Sequence, residues 1–223
     1  MIMMFGSIPR KSIAFFQPFY ATETKTPKYL SQNEVYSLQV YQRMAETDPN
    51  RELNQKCSQT SFWEYSVDYY DRDGASDSLL SLQNRYDLDI NLILLALWTG
   101  AEMGILLKKE HFATLDAKAY EWRDNIIKPL RSSRQAIKSF TSMNIGLTDD
   151  IYQKLKSAEL DAEHVAQTFL SGLLSSLPEI TNTSDYCHAA TSNLASYFAY
   201  ADVNTNRKVR QAAAFLVRCA EIK

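Results

Sequence analysis

From Ser61 onward, apolar residues recur at spacings of three and four, the period of a helix with one buried face. Ser61 and Glu64 form the Ser-x-x-Glu pattern that caps a helix start, and Phe62, Trp63, Val67 and Tyr70 continue it to an end near Asp73-Gly74. A short helix over "SDSLLSLQNRY" follows, and Asp87 is expected to cap the next segment, "LDINLILLALW" (Leu88–Trp98). That segment is apolar on nearly every side, which predicts a buried central helix near 88–98 surrounded by others. With Asp89 and Asn91 inside its eleven residues, it is too short for the roughly twenty that span a bilayer.

Lys108 to about Lys138 reads as one long helix bent at Pro129, because the ring removes a donor and crowds the preceding turn. A second long helix runs from Asp149 to Leu177, stopped before Pro178, and "TSDYCHAATSNLASYFAY" and "NRKVRQAAAFLVRCAEI" supply the last two. No stretch alternates convincingly as a strand. The prediction is an all-α, irregular helical bundle of about seven or eight helices without an internal repeat.

Residues 1–60 differ in kind. Residues 1–30 lack helical periodicity but carry Phe5, Ile13, Phe15, Phe16, Phe19 and Tyr20 between Pro9, Pro18 and Pro27. An arm this apolar is expected to extend along its own domain or a partner's surface. Ser31–Glu34 is another capping pattern, opening a first helix, and Thr47–Thr60 is polar linker. The organisation is therefore an N-terminal arm with a first helix over 1–60 and a helical domain over 61–223.

A formal charge of −2 provides no global field for nucleic acid, so any anion binding must come from a local patch. Cys57, Cys187 and Cys219 have no C-x-x-C spacing and suit free thiols in a reducing compartment. The start loosely mimics a signal peptide, but Gln17 and Pro18 interrupt its apolar part. The expectation is a cytoplasmic chain without membrane insertion, at most peripheral to a membrane-associated complex.

The aromatic helix from Phe62, the run "SLLSLQNRYDLDINLILLALW" and the later "WRDNIIKPLRSSRQAIK" and "KLKSAELDAEHV" together resemble a family of short proteobacterial helical proteins, a domain of unknown function. The resemblance covers roughly residues 62–165 and is most specific from Leu82 to Leu92. It implies a helical fold and carries no activity. Small helical proteins without catalytic motifs serve as accessory subunits of bacterial machines, the Dot/Icm type IV secretion coupling complex among them.

The segment "AELDAEH" places Glu159 and Glu163 four apart, with His164 beside them, as the best candidate polar or metal centre. It lacks the paired Glu-x-x-His motifs of a carboxylate-bridged metal bundle. Cys187 and His188 are adjacent, about 100° apart on a helix, and do not form a thiolate–imidazolium pair with each other. No Walker loop, Gly-x-Gly-x-x-Gly or Gly-x-Ser-x-Gly occurs. No catalytic residue, metal or cofactor is expected.

Two surface patterns remain. Lys128, Arg131, Arg134 and Lys138 fall within roughly 120° of helical arc, a stripe suited to an anionic partner. A solvated face with ion pairs to a neighbouring helix through Glu159, Asp161 and Glu163 would explain it better, since charge stripes usually do no more than solvate a helix. Phe62, Tyr65 and Tyr69 share one face of their helix and Trp63, Val67 and Tyr70 another. The first set, with Phe15, Phe16, Phe19 and Tyr20 of the arm, makes the candidate protein-binding surface, unless several helices pack around this one. The expected function is a non-enzymatic adaptor or accessory subunit bound to other protein subunits of a larger bacterial assembly. The alternative is a small helical enzyme or ligand-binding protein centred on Glu159, Glu163 and His164.

Overall fold

A computed structural model describes residues 60–138, 140 and 146–221. The described residues fold as α1 (Phe62–Tyr70), α2 (Ala75–Tyr86), α3 (Ile90–Met103), β1 (Ile105–Leu106), α4 (Lys109–Trp122), α5 (Lys128–Lys138), α6 (Gly146–Leu173), β2 (Thr181–Asn182), α7 (Tyr186–Tyr200) and α8 (Arg207–Glu221). α4 runs into α5 through a π-helical turn, Arg123–Ile127, so the described chain forms seven separate helices, as the periodicity predicts. The expected first helix after Ser31 and the aromatic arm lie outside the described residues.

α1 starts on the predicted capping box: the Glu64 amide donates to the Ser61 hydroxyl at 3.2 Å, and the Ser61 amide donates to the Glu64 carboxylate at 3.0 Å. Asp87 does not cap α3. It closes α2 in a left-handed conformation, φ 53°, and Asp89 caps α3 by accepting from the Asn91 amide at 2.8 Å. The two aspartates divide the work of one tight corner, one ending a helix and the other starting the next.

α3 is the central helix. Asn91 to Gly100 are all buried, and α1, α2, α6, α7 and α8 pack around it. Its closest neighbour is α7, against which Gly100 lies so near Ala189 and Ala190 that a Cβ would collide with their backbone. Asn193, fully buried on α7, fastens the exit of α3. Its amide group donates to the Ala96 carbonyl at 3.2 Å, the Thr99 hydroxyl at 3.1 Å and the Ile105 carbonyl at 2.8 Å, while its oxygen accepts from the Leu107 amide at 2.7 Å. β1 and β2 pair antiparallel over two residues each, too short to leave an alternating pattern in the sequence.

The expected irregularity at Pro129 is present in another form. Lys128 donates its amide to Arg123, an i to i−5 bond. The π turn therefore sits in the turn where the proline ring would crowd the carbonyl of Asn125.

Candidate functional site

The richest polar cluster joins α5, α6 and the start of α3. Glu159, Glu163 and Gln167 follow one another at four-residue steps and so share one stripe of α6. Across from them Arg131 and Arg134 stand three apart on α5. Arg134 is 1% exposed and Glu159 is 0% exposed; they meet through Nε and Oε2 at 2.5 Å. Arg131 bridges both acids, with Nε to Glu159 at 2.9 Å and Nη2 to Glu163 at 2.7 Å. Asn91 donates to the other oxygen of Glu163 at 2.5 Å and accepts from Gln167 at 2.9 Å.

A second cluster adjoins it at the α3 N-terminus. Arg123 pairs with Asp89 at 2.9 Å and Asp116 at 2.5 Å, and the Tyr200 hydroxyl donates to Asp116 at 2.7 Å. The hydroxyl of Tyr197 accepts from the Asp89 amide at 2.8 Å. The guanidinium thus pins α4 to the capping residue of the central helix.

These contacts correct the reading of Lys128, Arg131, Arg134 and Lys138 as an outward stripe. α5 lies against α6, so the two arginines point at the glutamates and are consumed there. Lys128 pairs with Asp124 one turn earlier at 2.9 Å, and Lys138 sits over the Tyr152 ring at 5.6 Å. Of the three acids expected as partners, Glu159 and Glu163 take part. Asp161, on another side of α6, is exposed.

The aromatic reading of α1 is corrected likewise. Phe62, Tyr65 and Tyr69 are 3%, 2% and 0% exposed. Phe62 stacks on Trp98 with centroids 5.1 Å apart, and the Tyr69 hydroxyl donates to the Leu216 carbonyl at 2.6 Å. Several helices do pack around α1, so this face has no room for a partner. Phe15, Phe16, Phe19 and Tyr20 lie outside the described residues.

The donor set at Glu159 and Glu163 suits guanidinium groups and not a metal ion. Every carboxylate oxygen of the pair already accepts from Arg131, Arg134 or Asn91, and an added cation would face two fixed positive charges. His164 does not join them; its ring stacks on Trp63 at 4.4 Å, and burial lowers its pKa toward the neutral form. His111 is structural. Its Nδ1 accepts from the Lys108 amide at 3.0 Å and its Nε2 meets the Pro178 carbonyl at 2.8 Å, a pattern that fits the neutral Nε2–H tautomer. Among the described residues no group of three or more His, Cys, Asp or Glu side chains is arranged to hold a metal ion.

Burial pushes the Glu163 carboxyl up to about 7, against the opposing pull of Arg131 and of the Asn91 hydrogen bond. Since the folded state holds this proton to higher pH than the unfolded chain, the resulting stabilisation is complete below the ordinary carboxyl pKa and is lost as pH rises through about 7. The urea midpoint should therefore fall between about pH 5 and pH 7.5, and Glu163→Gln should flatten that slope. An equal slope in the variant would assign the titration to another group.

Asn91, Gln167, Asn193, Arg123 and Asp116 were not singled out by sequence. Their roles depend on which helix stands opposite, and only the four-residue repeat of Glu159, Glu163 and Gln167 left a visible trace. No curated protein and no solved structure matches the chain. No helix among the described residues is long and apolar enough to cross a membrane. The family model described as "Protein of unknown function (DUF2390)" matches residues 61–170, a segment that holds the central helix and the charged residues of both clusters, and it ends within α6, leaving α7 and α8 beyond it.

Proposed function

We propose that the chain is a non-enzymatic adaptor or accessory subunit that binds another protein through the outer side of the α4–α6 pair. The observation that carries this reading is a set of large apolar side chains left in solvent there. Trp122 and Ile126 are each 37% exposed, and Phe169 is 42% exposed. The Trp122 indole donates to the Ala162 carbonyl at 2.9 Å, which fixes its ring against α6. Phe169 is seven residues on from Ala162 and Ile151 eleven before it, both within roughly 20° of the same helical bearing. Ile151 is exposed as well, so the two exposed side chains stand about 27 Å apart along α6, on either side of the buried Ala162 that Ile127 and Leu130 help to cover. Exposed Trp, Phe and Ile held on rigid helices are the residue types that anchor protein interfaces.

The charged groups that would favour chemistry are instead tied to one another, which supports a scaffold role for them. The test is association. A Trp122→Ser/Phe169→Ser variant should keep the wild-type helical circular dichroism and lose the protein that co-purifies with the wild-type chain from its source. Retention of that partner by the variant would refute this surface.

A further inference from the structure

A cationic helix face that does reach solvent lies on α8. Arg207, Lys208, Arg210 and Arg218 are all exposed, and among the described residues no carboxylate pairs with any of them. Taking 100° per residue, Arg207, Arg210 and Arg218 fall within roughly 80° of arc, with Ala214 between them and Gln211 just beyond the edge. The line they form is about 16 Å long. On the opposite face Val209, Leu216, Cys219 and Ala220 are buried, so packing fixes which way the arginines point. This is the arrangement that α5 mimics in sequence and then uses internally.

We propose that this α8 face binds an acidic segment of a protein partner, with carboxylates spaced along a helix or extended strand to meet the three guanidinium groups. The proposal rests on the adaptor reading and names the chemistry of a second contact. Three observations select a protein segment over other anions. Arginine forks bind carboxylates two bonds at a time, as they do phosphates, and it is the small Ala214 at the middle of the line that lets a peptide backbone come close. The face carries no aromatic ring on which a base could stack. The α1–α2 corner meets α8 near its C-terminal end, where Arg72 donates to the Cys219 carbonyl and Gly74 abuts Phe215, and the corner's Asp71 and Asp73 are exposed. A duplex or an anionic membrane presents continuous negative charge and would bring it toward those aspartates, whereas a short segment can end before them.

The experiment uses the full chain and a fluorescent, helix-forming Ala/Glu peptide of about 15 residues with glutamates at three- and four-residue spacing. Saturable binding is expected at low ionic strength, weakening about tenfold or more on raising salt to about 0.2 M. The triple variant Arg207→Glu/Arg210→Glu/Arg218→Glu should abolish it, and the neutral Arg207→Gln/Arg210→Gln/Arg218→Gln variant should weaken it about tenfold or more. A random-sequence DNA duplex and phosphatidylserine vesicles should bind less tightly than the peptide. The proposal is overturned by an absence of peptide binding, by equal binding to the reversed and wild-type chains, or by tighter binding of duplex or vesicles. The Trp122→Ser/Phe169→Ser variant should keep the peptide. Loss of peptide binding with the apolar-face partner retained sinks this inference alone, and loss of that partner from the wild type sinks the adaptor reading.

Discussion

Replacing Glu159 with leucine should destabilise the fold by about 3–5 kcal/mol, the usual cost of removing one partner from a buried ion pair. The carboxylate is fully buried and receives Arg134, itself 1% exposed, together with Arg131. Its loss leaves the Arg134 guanidinium in the interior with no acid in reach, and that uncompensated charge is the source of the penalty. The companion Arg134→Met/Glu159→Leu chain removes both charges and restores apolar volume, so it should recover much of the loss. Urea denaturation of the two variants and of Arg134→Met alone checks this. A single Glu159→Leu change costing under about 1 kcal/mol would mean that the pair is solvated and that α5 does not hold its arginines against α6.

Gly100→Ala is the other severe change. A methyl group is ordinarily welcome inside a helix, where alanine is the better former by about 1 kcal/mol. Here the added carbon has no space, because the backbone of Ala189 and Ala190 occupies it and neither can move without carrying α7 along. Forcing α3 and α7 apart also stretches the four hydrogen bonds of Asn193. The expected loss is about 3 kcal/mol, at the upper end of overpacking costs, with a lower unfolding temperature and an unchanged helical spectrum. A neutral or stabilising Gly100→Ala would show that this crossing is looser than the contact implies.

These two positions also mark where the sequence stopped being informative. Helix existence was legible because each helix writes its own period, and α3 identified itself as central because no side of it is polar. Ser61 and Glu64 are three residues apart, so their cap was readable too. Asp87 and Asp89 both precede the apolar run, and only backbone geometry separates the one that ends α2 from the one that starts α3. Gly100 leaves no signal, since its role is defined by a helix about ninety residues further along the chain.

The candidate site was legible in its parts and not in its direction. A helical projection groups Arg131 with Arg134, and Glu159 with Glu163, but it contains nothing about which helix stands opposite. The same projection groups Arg207, Arg210 and Arg218 just as well. Antiparallel packing of α5 on α6 neutralises the first set, and the packing of α8 through its apolar side leaves the second set in water. Phe62, Tyr65 and Tyr69 follow the same logic in reverse: their excess of rings is absorbed by α3 and α8, whereas Trp122 and Phe169 are left over.

Sedimentation velocity of the chain as isolated from its source, beside the Trp122→Ser/Phe169→Ser variant, tests the proposed role most directly. The wild-type chain should travel in a species clearly heavier than its own 25.5 kDa, and the variant should travel alone. Wild type and variant sedimenting identically as single chains would contradict it.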